Sequence, residues 1–279
     1  SNFDNAGTVT LESGILRLFG DGTHTGAFQL SGTLEGGTLT GARMRTSGNT
    51  VFEESASVTG VSFGVQGGTT TFNGSLAVES AFVSGDGVLK LNTDTSARYF
   101  GVDGFDDVSA ELPAASATFG GSGNVTVTEY FYFVEGAIEG SGLIEIQPTA
   151  FAELGSANFT SGTPQLSLSG KTIRNAAAAT EFFGPGFSDT VFSQGDLLVL
   201  NGGVFEQVGD LRVPGEGGLG TSITADEVTG GQFILTGTLQ LDEALAITGA
   251  DLTGGGLSIG SGIMSLNDDL TVGAFEMVT

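Results

Sequence analysis

The chain has 279 residues, of which 48 are glycine, 5 are proline and none is cysteine, while 39% are hydrophobic and 14% are charged. Glycine at this level without a strict triplet period excludes collagen, and the hydrophobic content is too high for a disordered linker. The net charge of −24 argues against nucleic-acid binding, which needs a basic surface, and against contact with anionic membranes.

Two further features bear on the location of the protein. No apolar run approaches the roughly 20 residues that a membrane helix needs. The sequence starts at Ser1 without a methionine or an apolar leader, which suggests a processed mature protein or a piece of a longer one.

From the N-terminus onward, short strands alternate with glycine-containing corners. A turn leads into a strand at 8–11, and further strands are predicted at 15–18, at 27–30 and between Gly32 and Gly41. Glycine suits such corners because it adopts backbone conformations that a Cβ atom would obstruct.

The stretch from Gly123 to Thr149 indicates the architecture most clearly. Val125-Thr126-Val127-Thr128 and Leu143-Ile144-Glu145-Ile146 alternate between apolar and polar residues, as half-buried strands do. Each follows a glycine, Gly123 or Gly142, and this spacing of about 20 residues is typical of one coil of a β-solenoid. Similar apolar phrases return at 87–91, 195–200 and 262–266. We therefore predict one all-β solenoid domain of about a dozen coils over residues 1–279.

Strands stacked about 4.8 Å apart would give a rod about 60 Å long, filled by ladders of Val, Leu, Ile and Phe. Two segments break the repeat, residues 101–123 and residues 212–222, and we predict extruded loops there. The first segment could alternatively be a domain boundary. No segment has a convincing helix pattern, since the best candidate, at 175–181, is too short.

The ends of such a rod expose unpaired strand backbone, which promotes association unless a cap covers it. Neither end of the sequence has a recognisable cap, so we expect either that the solenoid continues in a longer chain or that copies stack end to end. The residues that we predict to make this contact are Phe3, Val9, Leu11, Leu270, Val272, Phe275, Met277 and Val278.

Several low-complexity phrases resemble a known class of protein. They are Phe3-Asp4-Asn5-Ala6-Gly7-Thr8-Val9, Gly20-Asp21-Gly22-Thr23-His24-Thr25-Gly26 and Leu168-Ser169-Gly170-Lys171-Thr172-Ile173-Arg174-Asn175. They are similar to the Gly/Thr/Asn-rich repeats of large bacterial surface proteins, of the adhesin and autotransporter-passenger type. The resemblance implies a right-handed parallel β-helix in a secreted, extracellular or cell-surface protein. It carries over no functional residues.

Acidic residues cluster in the first predicted loop. Ca²⁺ takes six to eight oxygen ligands, and Asp103, Asp106 and Asp107 are the best candidate set for it. The alternative is that these acids are solvated and keep the rod soluble, because neither they nor the pairs at 226–227, 242–243 and 268–269 have EF-hand spacing. We expect no other cofactor.

Candidate catalytic residues are sparse. His24, the only histidine, lies in a polar turn near Asp21, and a solvated turn is the alternative interpretation. Polygalacturonase-type β-helix hydrolases contain an Asn-Thr-Asp phrase and an Asp-Asp pair, which Asn92-Thr93-Asp94 and Asp106-Asp107 match. Their Gly-His-Gly and Arg-Ile-Lys phrases are missing. A lyase of this fold would need a basic cleft, which eight basic residues in the whole chain do not favour.

The sequence also contains an aromatic segment and several glycosylation sequons. Tyr130-Phe131-Tyr132-Phe133 would place both phenylalanines in the core and both tyrosines outward. The tyrosines could form a surface for sugar stacking or subunit contact, but we favour the alternative that they are incidental surface residues. Glycosylation sequons begin at Asn73, Asn124 and Asn158, whereas the Thr-x-Thr triplets are too irregular for an ice-binding ladder.

We therefore expect a non-enzymatic, extracellular structural protein, either an adhesin stalk or the subunit of an end-to-end filament. The alternative is a polysaccharide-cleaving β-helix enzyme that uses Asp94, Asp106 and Asp107. The expected partners are further solenoid coils, with a surface or a polysaccharide as ligand, and neither nucleic acid nor membrane insertion.

Overall fold

A computed structural model describes residues 4–17, 26–40, 43–60, 62–103, 117–154, 166–177, 179–182, 198–201, 204–207, 211–213, 221–225, 232–235, 238–241, 245–248, 251–259, 264–266 and 270–277. These residues form strands, turns and bends and contain no helix. The strands are β1 Thr8–Leu11, β2 Ile15–Arg17, β3 Ala27–Leu30, β4 Thr33–Glu35, β5 Thr38–Thr40, β6 Arg43–Thr46, β7 Thr50–Phe52, β8 Ser57–Thr59, β9 Ser62–Val65, β10 Thr69–Phe72, β11 Ser75–Ser84, β12 Val88–Leu91, β13 Thr95–Asp103, β14 Thr118–Gly120, β15 Val125–Glu139, β16 Leu143–Ile146, β17 Phe151–Leu154, β18 Leu166–Ser169, β19 Thr172–Asn175, β20 Ala179–Phe182, β21 Leu198–Asn201, β22 Val204–Gln207, β23 Leu211–Val213, β24 Thr221–Ala225, β25 Gln232–Leu235, β26 Thr238–Leu241, β27 Leu245–Thr248, β28 Asp251–Ile259, β29 Met264–Leu266 and β30 Leu270–Met277.

The strands wind into a parallel β-solenoid with three faces, which confirms the predicted fold class. Face 1 contains β1, β3, β6, β9, β17, β20, β23 and β26. Face 2 contains β2, β4, β7, β10, β12, β14, β18, β21, β24, β27 and β29. Face 3 contains β5, β8, β16, β19, β22 and β25. The long strands β11, β13, β15, β28 and β30 bend around corners, and β15 contributes to all three faces.

The coil length is regular where no insertion interrupts it. Successive partners on face 1 are Thr8, Ala27, Arg43, Ser62, Ser80 and Tyr99, which lie 16 to 19 residues apart. Between Ala27 and Ile146 the solenoid completes six coils of three strand segments each, fewer than the dozen predicted for the whole chain. Among the described residues, parallel pairing of strands then continues as far as Met277.

The two predicted loops are shorter than expected where their ends are described. Residues 101–103 belong to β13 and residues 118–120 to β14, while 104–116 lie outside the described residues. Across this segment β13 still pairs with β15, so the strand ladder runs on past the predicted break. Likewise, residues 212–213 belong to β23 and residues 221–222 to β24, and 214–220 lie outside the described part of the chain.

The interior is filled by ladders of apolar side chains with one rung per coil. On face 1 the ladder runs through Phe28, Met44, Phe63, Ala81, Phe100, Phe131 and Ala152, each 0–1% exposed. On face 2 the rings of Phe52 and Phe72 stack with centroids 4.3 Å apart, and Phe63 meets both edge-on. Full burial of each such side chain contributes about 1.5–3 kcal/mol, so most of the stability comes from contacts between neighbouring coils.

Tight corners between the faces require glycine. Gly121, between β14 and β15, has φ of +97°. A Cβ atom there would lie 2.1 Å from the carbonyl oxygen of Leu91 in the coil below. The chain needs glycine at this corner both for the backbone conformation and for the close approach of the coils.

Candidate functional site

Aromatic side chains form a strip on the outer side of face 1. We call Phe82, Tyr99, Tyr130, Tyr132 and Phe151 the aromatic strip. They alternate along β11, β13, β15 and β17 with the inward residues of the core ladder, because successive side chains of a strand point to opposite faces. The strip contains all three tyrosines of the chain. Among the phenylalanines whose side chains are described, those outside the strip are 0–1% exposed.

The strip consists of two columns that run along the solenoid axis. Strand register places Ser80, Tyr99, Tyr130 and Phe151 in one column and Phe82, Gly101, Tyr132 and Glu153 in the other. Tyr130 stacks on Phe151 with ring centroids 5.4 Å apart and planes within 17°, and it lies 6.1 Å from the ring of Tyr132. The hydroxyl of Tyr130 donates a hydrogen bond to Glu153. The Tyr130 side chain therefore makes most of its contacts with other residues of the protein.

Phe82 is arranged differently, because its ring lies against the backbone of Gly101 in the next coil. A Cβ atom on Gly101 would lie 2.6 Å from Cδ1 and 2.8 Å from Cε1 of Phe82, and 3.7 Å from Cβ of Tyr132. The Phe82 ring can occupy this space because Gly101 has no side chain. Phe82 nevertheless remains 41% exposed. Its ring forms a small apolar platform over Gly101.

A charged cluster borders the strip at the corner between faces 3 and 1. Arg98 donates to Glu79 (3.1 Å) and to both carboxylate oxygens of Glu129 (2.8 and 2.9 Å), and its guanidinium carbon lies 5.5 Å from the centre of the Tyr99 ring. Hydrogen bonds from Arg98 and then from Tyr99 lower the pKa of Glu129. Hydrogen bonding to the same carboxylate raises the pKa of Tyr99 and of Arg98. The cluster supplies fixed hydrogen-bonding groups at the edge of an apolar surface.

The first coil forms a second candidate site, the end surface, which consists of Val9, Leu11 and Leu16. Among the described residues, β1 pairs only with β3 and β2 only with β4, so both strands have one unpaired edge. The end-surface residues are only partly buried, although they pack on the core. Their partners in the next coil, Phe28, Leu30 and Leu34, are 0%, 2% and 1% exposed.

A buried lysine closes the corner between faces 2 and 3. The side chain of Lys171 is 0% exposed and reaches from its own coil to the two preceding coils. Its Nζ donates to the carbonyl oxygens of Gly121 and Gly123 (3.2 Å each) and of Ser141, and it lies 5.3 Å from the centre of the Phe119 ring. Burial lowers the pKa of Lys171 to about 8. Lys171 therefore joins three successive coils through one amine.

The predicted metal and catalytic residues are only partly described. Asp103 ends β13 and pairs in register with Glu135, while Asp106 and Asp107 lie outside the described residues, as do His24 and Asp21. Among the described residues there is no group of three or more potential metal-ligating side chains. Asp94 accepts a hydrogen bond from the backbone N–H of Asn124 (3.0 Å), which gives its carboxylate a structural role at a corner.

The remaining predicted residues are placed as follows. Val9 and Leu11 lie on β1, and Leu270, Val272, Phe275 and Met277 lie on β30, whose described partner is β28. Phe3, Val278 and the sequon at Asn158 lie outside the described residues. The amide oxygen of Asn73 accepts from Asn92 (2.9 Å) and that of Asn124 from the N–H of Leu143 (2.8 Å). Thr8 and Thr10 lie on face 1, whereas the triplets at 38–40 and 126–128 begin on face 3, so they do not form one ladder.

No sequence pattern indicated Phe82, the Arg98 cluster or Lys171 as functional residues. A lone phenylalanine opposite a strand glycine is a signal only when the register of the two strands is known. Arg98 lies 19 residues after Glu79 and 31 before Glu129, a pattern that the long inserted segment hides.

Comparison of the chain with protein-family models, with curated proteins and with solved structures found no match. The described residues include no helix that is long and apolar enough to cross a membrane.

Proposed function

We propose that this protein is a non-enzymatic structural rod of the extracellular space or cell surface, and that it serves as an adhesin stalk or as the subunit of an end-to-end filament. The observation that carries the proposal is the contrast between the end surface and the next coil. Val9, Leu11 and Leu16 are partly buried, whereas the equivalent positions one coil further are almost completely buried. A further coil placed on β1 and β2 would remove this difference.

The free energy of burying apolar side chains favours contact between the end surface and a further coil. Full burial of a Val or Leu side chain contributes about 1.5–3 kcal/mol, so completing the burial of three partly buried side chains contributes about 3 kcal/mol in total. The unpaired edges of β1 and β2 would also gain main-chain hydrogen bonds, as in other cases of strand addition. The covering coil belongs either to a longer chain or to a second copy of this one, and both give a longer rod.

The charge of the chain favours growth along the axis over lateral association. With a net charge of −24, parallel rods repel one another along their whole length, whereas end-to-end contact brings only two coils together. Salt screens this repulsion, so end-to-end association should strengthen with ionic strength.

Sedimentation velocity and electron microscopy over a range of protein concentrations test the proposal. We expect rods that lengthen with concentration, by steps of one molecule. Leu11→Lys should keep the chain monomeric, because it places a charge on the end surface. Thr10→Lys is the matched control, since Thr10 is exposed on the outer side of the same strand. Equal association of the two variants would contradict the role of the end surface.

The enzymatic alternative is tested separately. Incubation with neutral and acidic polysaccharides should release neither new reducing ends nor unsaturated products. Product formation that is lost in Asp94→Asn would replace the structural proposal with a polysaccharide-cleaving one.

A further inference from the structure

We propose that the aromatic strip is a binding site for a neutral, linear polysaccharide that lies along the solenoid axis. The proposal concerns the side of the rod and does not depend on how its ends associate.

The exposure of Phe82 supports a ligand at the strip. The stack of Tyr130 on Phe151 stabilises adjacent coils and needs no ligand to explain it. Phe82 differs from this stacked pair. One side of its ring lies on Gly101, and the residue as a whole is 41% exposed. Among the residues whose side-chain exposure is described, the only other large hydrophobic side chain this exposed is Ile15, at 54% on face 2.

The shape and chemistry of the strip fit a linear polysaccharide. It spans four coils from Phe82 to Phe151, which corresponds to about 15 Å along the axis at the usual strand spacing. A sugar ring has an apolar face of C–H groups and a rim of hydroxyls. The Phe82 platform can take the face, and carboxylates and phenolic hydroxyls at the border can bind the rim. A linear chain of sugars repeats this combination along a line, as the strip does.

The charge of the protein bears on the charge of the ligand. A chain of net charge −24 repels polyanions, which disfavours acidic polysaccharides and nucleic acids. Arg98, which borders the strip, is already bound to two glutamates, Glu79 and Glu129. The strip therefore favours a ligand that brings hydroxyls and no charge.

Tyrosine fluorescence provides a local signal for the test. The chain has no tryptophan, and its three tyrosines all lie in the strip. We would titrate the whole protein with cellohexaose, chitohexaose and mannohexaose, with hexagalacturonate and hexa-arginine as charged comparisons. We expect a saturable change in tyrosine emission with at least one neutral oligosaccharide, and none of comparable affinity with hexagalacturonate or hexa-arginine.

Two pairs of variants make the test specific. Phe82→Ala should weaken binding at least tenfold, whereas Ile15→Ala, which removes the other exposed side chain, should leave it unchanged. Gly101→Ala should also weaken binding, because its Cβ atom would displace the Phe82 ring. Gly64→Ala is its control, since Gly64 lies in the same column and a Cβ atom there meets nothing within 4 Å. Far-UV circular dichroism checks that each variant is folded.

The proposal fails if none of the three neutral oligosaccharides gives a saturable change, or if Phe82→Ala binds as the unmodified protein does. It also fails if only hexa-arginine or hexagalacturonate binds and Phe82→Ala abolishes that binding, because the strip would then recognise a cationic or an anionic partner.

Discussion

Lys171 couples the stability of the solenoid to pH, because its amine is buried between coils. Burial lowers its pKa from the ordinary 10.5 to about 8 in the folded protein, while the unfolded chain keeps the ordinary value. Between about pH 8 and pH 10.5 the unfolded state binds more protons than the folded state. The free energy of unfolding should therefore rise with pH across this window. Below pH 8 the amine is protonated in both states, and the folded protein carries the full cost of burying the charge. The difference between the two pKa values corresponds to about 3 kcal/mol.

Replacement of Lys171 by methionine tests this reasoning. Methionine keeps the length of the side chain but removes the amine, and it leaves the carbonyl groups of Gly121, Gly123 and Ser141 without this donor. That loss costs about 1–3 kcal/mol for each carbonyl that finds no other partner, and the cost is independent of pH. The free energy of unfolding of the unmodified protein minus that of Lys171→Met should therefore increase by about 3 kcal/mol from about pH 7.5 to about pH 10.5, whatever its absolute value.

Guanidinium unfolding followed by far-UV circular dichroism, at several pH values, measures this difference. The other charged groups and the tyrosines affect the stability of both proteins in the same way, so their effects cancel in the difference. Lys90→Met is the matched control, because Lys90 lies partly exposed on the outer side of β12, and we expect no comparable change with pH. A difference that stays constant or falls as the pH rises would refute the reasoning, since it would show that the amine is not held in an environment that disfavours its charge.

Three further predictions concern the core and the charged cluster. Phe52→Ala should destabilise the protein by about 3–5 kcal/mol in chemical unfolding, because it leaves a cavity in a fully buried stack. Thr46→Val should cost about 1–3 kcal/mol, since it removes the hydroxyl that accepts from Thr70 at 2.6 Å inside the core; the double change to valine should cost less than the sum of the two single changes. Arg98→Met should raise the pKa of Glu129, measured by NMR titration, and an unchanged pKa would contradict the hydrogen-bonded pair. Because this pKa is lowered in the folded state, the pair stabilises above the ordinary pKa of glutamate and the contribution is lost as the pH falls.

Local patterns were sufficient to predict the strands around residues 123–149. Alternation at 125–128 and 143–146 placed Val125, Val127, Ile144 and Ile146 inside, and all four are fully buried. The same alternation predicted that Tyr130 and Tyr132 point outward and that Phe131 and Phe133 are buried, as the structure shows. The prediction succeeds because successive side chains of a strand point to opposite faces, whichever strand it pairs with.

The candidate sites were harder to predict because they depend on which residues share a level of the stack. The inserted segment between Asp103 and Ala117 lengthens one coil, so that Tyr99 pairs with Tyr130, 31 residues away. Counting by the average repeat would have paired different residues and would have missed both the aromatic strip and the Arg98 cluster. Thr46 and Thr70 likewise meet across the interior from two faces, and their contact cannot be read from either strand alone.

The amino-acid sequence by itself determined that the chain forms short, half-buried strands joined by glycine corners, because apolar alternation and glycine content are local properties. Only the tertiary structure decided that Phe82 rests on Gly101, that Arg98 lies between two glutamates and that Lys171 spans three coils. These contacts depend on the register between coils. The length of each inserted segment sets that register, and the alternation within a strand carries no information about it.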